Sequence, residues 1–313
     1  MLLFLLRFWC IVYLVMGLIP LALAGASYIL PPDDVGVVGQ VEVERTAYED
    51  TLADVARRHS LGFDEITKAN PKVDAWIPGA DTSVVLPMRH ILPDTPRDGM
   101  VLNLPEMRLY YYPKPKKGEP PKVITYPISI GRFDWKTPLG ITSVVGKITN
   151  PTWTPPETIR KEHAAEGDIL PNVVPAGEDN PLGLYALRLG TSGYLIHGTD
   201  KPWGIGMRVT HGCIRLYPED IEILFKEVPV GTTVRMINQP FKVGWLAGTL
   251  YLQVFTPLEE DLETLVEENV AIKLLEKAVI GRPKGSYRID GEAIRRAMAE
   301  QRGVPTPVGA ELE

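Results

Sequence analysis

The stretch IHGTDKPWGIGMRVTHGCIRL, Ile196 to Leu216, sets two of the chain's five histidines, His197 and His211, around one of its two cysteines, Cys213. Cys213 follows His211 by two residues and His197 by sixteen. A thiol with imidazoles in reach is the minimum kit for cysteine nucleophilic catalysis, because the thiolate is the reactive species and a nearby imidazole makes it available near neutral pH. On an extended segment His211 and Cys213 point to one face. Gly212 between them removes a side chain and frees a backbone N–H for a developing oxyanion. Gly193 to Ile196 reads as the strand that delivers His197, and a thirteen-residue loop then brings the chain back; either imidazole can serve as base. Arg215, two further on, shares the face and suits a carboxylate held bidentately. The constellation predicts acyl transfer by a thiolate through a thioester. A zinc site is the competing reading of His197, His211 and Cys213, but no fourth ligand is evident and the spacing is unusual, so neither metal nor cofactor is assigned.

Outward from this stretch, the N-terminus sets the compartment. Phe8 to Leu21 is apolar and uncharged after a start bearing only Arg7, and Ala22-Leu23-Ala24 offers small residues for cleavage. Residues 1–24 therefore read as a secretory signal peptide and the mature protein as periplasmic, an uncleaved membrane anchor being the alternative. Cys10 leaves with the leader, so Cys213 becomes an unpaired thiol in an exported protein. The net charge of −6 gives no support for nucleic-acid binding. With 29 prolines and 28 glycines, the 313 residues suit short strands joined by many turns and have room for about two domains.

Residues 25–40 read as a linker with one short strand. Residues 41–92 follow the order β-α-α-β: Val41–Glu44 alternates, Leu52, Val55 and Ala56 keep helical spacing, Phe63, Ile66 and Ala69 repeat it, and Ser83–Pro87 is a second strand. With DTLADVARRH, ITKANP and IPG before VVLP, this unit resembles a LysM module, a family that binds N-acetylglucosamine chains. The segment Tyr48-Glu49-Asp50-Thr51 departs from that family in lacking a Gly before Asp-Thr-Leu, and a small structural domain packed on the catalytic one is the other reading. His59 and His90 read as surface residues. Strands are expected at Val101–Leu104, Met107–Tyr112, Val123–Ile130, Ile141–Lys147, Tyr185–Leu189 and Thr232–Ile237, with a Lys- and Pro-rich hairpin loop at 114–122. Short helices are expected at 159–166, which carries His163 far in sequence from the site, and at 218–225, with Ile221, Leu224 and Phe225 inward. Trp153, in the stiff PTWTPP segment, suits either a groove lining or packing. Residues 239–313 read as an extension: a hairpin turning at Ala247-Gly248, a helix from a capping box at Thr256 to about Val279, a second helix capped by Asp290, and a disordered last ten residues.

The His, the spacer, and then Thr210-His211-Gly212-Cys213-Ile214-Arg215 resemble the signature of the L,D-transpeptidases, the YkuD-type catalytic domain. TPLG (137–140), PTWTPP (151–156) and DNPLGLYAL (179–187) are similar to the Gram-negative envelope branch, and the resemblance covers about residues 98–238. Thr210 stands where Ser is commoner. The resemblance implies a mainly β fold with short helices, sandwich-like in the catalytic domain. It implies Cys213 as nucleophile and His197 as general acid/base, oriented by the Gly198 carbonyl. His211, Gly212 and Cys213 would shape the site and supply oxyanion donors, with Tyr194 or Thr210 assisting and Trp153 and Arg215 near substrate. The implied donor is a peptidoglycan tetrapeptide stem, attacked at the diaminopimelate carbonyl with loss of D-alanine. The implied partners are stem peptides and glycan strands. The acceptor is a second stem, an outer-membrane lipoprotein lysine, or water, which would make the protein an L,D-carboxypeptidase. A non-catalytic wall-binding protein is the reading from another class.

Overall fold

The computed structural model describes residues 25–262, 267–283 and 285–312. The leader expected at 1–24 lies outside them. Strands β1 (Ala26–Ile29) and β2 (Val37–Val38) precede the small unit, which runs β3 (Glu42–Arg45), α1 (Leu52–Arg58), α2 (Phe63–Ala69), β4 (Ser83–Leu86). Strands β3 and β4 pair antiparallel, and Leu52, Val55, Ala56, Leu61, Ile66, Val84 and Leu86 form the unit's own core. Thr51 caps α1, its side chain accepting from the Asp54 N–H while Asp54 reaches back to the Thr51 N–H. The β-α-α-β order is therefore present. Strand β5 (His90–Ile91) follows and pairs with β2.

The next region runs β6 (Gly99–Asn103), β7 (Arg108–Tyr112), β8 (Lys122–Pro127), β9 (Ile130–Gly131), β10 (Gly140–Thr149), α3 (Glu157–Ala165), β11 (Tyr185–Leu189), β12 (Leu195–His197), β13 (Arg208–Thr210), β14 (Ile214–Arg215), α4 (Pro218–Glu227) and β15 (Thr233–Ile237). Nine strands form one curled sheet in the order β1-β8-β7-β6-β15-β10-β11-β12-β14, while β13 pairs with β9. This curled sheet is the form the sandwich-like expectation takes. Its largest core, from Met100 on β6 through Val144 and Leu187 to Ile214, is covered by Ile221 and Leu224 of α4, as their spacing requires.

The rest of the chain is β16 (Phe241–Leu246), β17 (Thr249–Val254), α5 (Glu267–Ala278), β18 (Tyr287–Ile289), α6 (Gly291–Glu300) and β19 (Thr306–Glu311). Its sheet has the order β16-β17-β19-β18, and Asp290 caps α6.

Four expectations are corrected. Residues 25–40 do not merely link, because β1 pairs along its length with β8 as the edge of the main sheet. Thr306–Glu311, within the ten residues expected to be disordered, form β19, which lies between β17 and β18 with Val308 fully buried. Thr256 is not a helix cap, since Leu258 packs in the main core and caps a short 3-10 turn at Glu259–Asp261. His90 is buried, 1% exposed, where β5 is covered by β7 and β16, and its neighbours are Glu65, Glu106 and Tyr110.

Candidate active site

The sheet brings the two ends of the opening stretch together. Strands β12 and β14 pair parallel, with Ile196 opposite Ile214 and His197 opposite Arg215. Strand alternation then puts His197 and Leu195 on one face with Arg215 and Cys213. Cys213, His197, His211 and Arg215 all line one cleft of about 920 Å³, together with Trp135, Trp153, Tyr194 and Trp203.

His197 is 2% exposed. Its Nδ1 lies 2.7 Å from the Gly198 carbonyl, and a carbonyl only accepts, so Nδ1 carries the proton and Nε2 is left as a base. The Leu182 carbonyl is a second acceptor for the ring. Burial and the Arg215 cation push the imidazole down to about 3. Burial also pushes the Cys213 thiol up, against the Leu195 N–H and Arg215, which favour the thiolate. Both shifts favour the neutral forms of the thiol and the imidazole. Cys213 Sγ makes a weak contact, 3.7 Å, with the Gly193 carbonyl.

The turn before Cys213 is tied from inside. Thr210 is 1% exposed; its hydroxyl donates to the Cys213 carbonyl at 2.6 Å and accepts the Gly212 N–H at 3.1 Å. The Gly212 carbonyl accepts from the Thr137 hydroxyl at 2.9 Å. Two expectations change here. The Gly212 N–H is occupied by Thr210 and is not free for an oxyanion, whereas the Cys213 N–H has no hydrogen bond among the described residues. The Thr210 hydroxyl is spent on the turn rather than presented to a ligand. Gly212 is required for a different reason: its φ is +99°, and a Cβ there would lie 3.0 Å from the Tyr194 ring.

His211 does not share the role of His197. Its Nε2 lies 2.9 Å from a carboxylate oxygen of Glu162, whose other oxygen accepts from Arg132 at 2.7 Å. The Trp135 ring stands edge-on to the imidazole at 5.1 Å. The His211 and Arg132 bonds hold the Glu162 carboxyl below its ordinary range. Sequence reading missed Glu162, forty-nine residues away on α3. The signal available is its neighbour His163 on the same short helix, which lines the same cleft.

Arg215 has a buried Nε without a partner, and burial lowers its guanidinium's affinity for its proton; Asp200 is the acid that most favours its charge. Trp153 bridges Val174 across the strap that carries α3. On the far wall, the small unit holds the loop at 202–207. The Phe63 and Asp64 N–H groups donate to the Ile205 and Gly206 carbonyls at 2.9 and 3.2 Å. The Gly206 φ is +86°, and a Cβ there would lie 2.4 Å from the Gly62 Cα. Among the described residues there is no cluster of His, Cys, Asp and Glu that would hold a metal ion.

Residues 97–236 match the model of the YkuD L,D-transpeptidase catalytic domain. The chain is 39% identical over 285 residues to the probable L,D-transpeptidase YcfS of Escherichia coli, covering 89% of this chain and 87% of that one. It belongs to the L,D-transpeptidase family. It is also 42% identical over 279 residues to YbiS of Escherichia coli (87% of this chain, 90% of that one) and 38% identical over 288 residues to ErfK/SrfK of Salmonella typhimurium (91% of each), both probable L,D-transpeptidases. This L,D-transpeptidase is thus a transferase by family, and the likeness runs well beyond the catalytic domain on both sides.

Proposed function

We propose that this L,D-transpeptidase works on peptidoglycan in the periplasm through Cys213. The observation that carries the proposal is the placement of Cys213 and His197 on one face of two paired strands, opening into one cleft. As Sγ attacks the diaminopimelate carbonyl of a tetrapeptide stem, its proton passes to His197 Nε2. The Cys213 N–H donates to the developing oxyanion. The tetrahedral species collapses to a thioester, His197 returns the proton to the leaving nitrogen, and D-alanine departs. An amine then attacks the thioester and regenerates the thiol. The unpartnered Arg215 guanidinium suits a substrate carboxylate. The acceptor is the diaminopimelate amine of a second stem or a lipoprotein lysine, and water is the alternative. Mass spectrometry of products from tetrapeptide muropeptides, with and without a lipoprotein C-terminal peptide, separates the three. Absence of any D-alanine release would sink the proposal. The unit at 41–92 is read as LysM-like and as a glycan contact; binding to purified sacculi that is unchanged when residues 41–92 are deleted would reject that part.

Two predictions belong to the site. Because the thiol is held above its ordinary value and the imidazole is uncharged, alkylation of Cys213 by iodoacetamide is expected to climb about ten-fold per pH unit between roughly pH 6 and 9. A plateau below about pH 7, followed by mass spectrometry of the adduct, would reveal a thiolate–imidazolium pair instead. Glu162→Gln is expected to lower kcat for D-alanine release by about ten- to a hundred-fold, by releasing His211 and with it the turn bearing Cys213. Glu162→Asp should recover part of that loss; full activity in Glu162→Ala would show that the contact is incidental.

A further inference from the structure

We propose that the α-ammonium group created at Gly25 when the leader is removed occupies a site already built for it by Asp220 and Tyr126. The proposal rests on the export reading above and deepens it by giving the new chain end a place. Gly25 is buried. The β1–β8 register sets Ala26 opposite Thr125 and so puts Gly25 beside Tyr126, where a Cβ would come within 2.5 Å of the Tyr126 ring. The chain thus enters the sheet with no slack. Asp220, the third residue of α4, is 1% exposed. One carboxylate interaction comes from the Gly25 backbone N–H, while Asp220 Oδ2 and the Tyr126 hydroxyl are buried without partners among the described residues. A peptide N–H offers one donor and no charge; an ammonium offers three donors and a full charge.

The neighbouring cations are committed elsewhere. Arg57 of α1 bonds Glu219 in both arms, and Arg108 of β7 bonds Glu65 of α2. The other groups facing Asp220 are Glu219 on its own helix and the Tyr126 and Tyr217 hydroxyls. With only an amide at Gly25, burial pushes the Asp220 carboxyl up to about 8. Hydrolysis of the Ala24–Gly25 bond by a signal peptidase adds water, leaving a carboxylate on Ala24 and an ammonium on Gly25.

Sequencing the N-terminus of the full chain, expressed with its leader in a Gram-negative host, tests the export reading; a first residue other than Gly25 would overturn the proposal for the cell. The site itself is tested on residues 25–313 released from a cleavable fusion. The Gly25-start chain is compared with one retaining a single Ala before Gly25, each with and without Asp220→Asn. At pH 7 the Ala-extended chain is expected to melt roughly 5 °C or more below the Gly25-start chain, and Asp220→Asn should erase the difference. Equal melting of the two starts, or an equal gap in the Asp220→Asn pair, would overturn the site.

The pH dependence gives a second handle. In the Ala-extended chain Asp220 keeps its proton to about 8 when folded and loses it near 4 when unfolded. The folded state therefore binds the extra proton between those values, and stability falls as pH rises from about 4 to about 8. The Gly25-start chain should lack that fall until its α-amine begins to lose its proton in the unfolded chain near pH 8. If Asp220→Asn does not fold, acylation of the Gly25 amine decides: it should be at least ten-fold slower in the folded protein than in urea, and equal rates would reject a paired, buried ammonium.

Discussion

Cys213→Ala abolishes D-alanine release, by at least about 10⁴-fold, while the protein stays folded; this is the largest effect expected of any single substitution here. The loss is large because no other side chain on the cleft wall is a comparable nucleophile. His211 is engaged by Glu162, Thr210 spends its hydroxyl inside the turn, and the His197 ring is held by the Gly198 carbonyl. The small structural cost follows from the surroundings of Sγ, which is half-buried and makes only weak contacts, with the Gly193 carbonyl at 3.7 Å and the Leu195 N–H, so the melting temperature should move by no more than a few degrees. Release is followed by mass spectrometry and folding by circular dichroism. Wild-type-like release from the folded variant would remove Cys213 from the mechanism. His197→Ala should lose nearly as much, and the double variant hardly more, because nucleophile and base act as a unit.

Lys242→Met is the second large effect, and it falls on stability. Lys242 is 3% exposed, with Nζ donating to a Glu106 carboxylate oxygen at 2.7 Å, to the Tyr110 hydroxyl at 3.1 Å and to the Ile91 carbonyl. Glu106 also accepts from Tyr110 at 2.6 Å and Asn103 at 3.0 Å, and Arg108 beside it bonds Glu65, Ser60 and Thr125. This network joins the small unit, the main sheet and the C-terminal sheet in one buried cluster. Removing the ammonium strands the Glu106 carboxylate where water cannot reach it, which costs about 3–5 kcal/mol. For a protein of this size that is on the order of 10 °C in melting temperature. Glu106→Gln combined with Lys242→Met should regain much of the loss, because neither charge is then left alone. A single variant that melts with the wild type would mean that the pair contributes nothing net.

The parts legible in the sequence are those where local pattern and tertiary demand agree. Tyr185–Leu189 is a strand within the bounds its alternation gives, Asp290 caps α6, and Ile221 and Leu224 face inward because their spacing leaves no other face. His197, His211, Cys213 and Arg215 could be assembled because one stretch of 21 residues holds them all. What stayed hidden depends on distant partners. Glu162 gains meaning only when α3 is folded over the cleft, and His90 looks like a surface residue until other segments close around it. The use made of the Gly212 N–H was misread because Thr210, two residues earlier, competes for it, and spacing alone does not say which acceptor wins.

Strand β15 lies between β6 and β10 in the main sheet, although it is the final strand of the catalytic region to be synthesised. Its parallel neighbour β6 was made more than a hundred residues earlier, so the middle of the sheet stays open until Thr233–Ile237 leaves the ribosome. Such distant pairing is slow to close. At the far end β19, slotted late between two earlier strands, repeats the same delay.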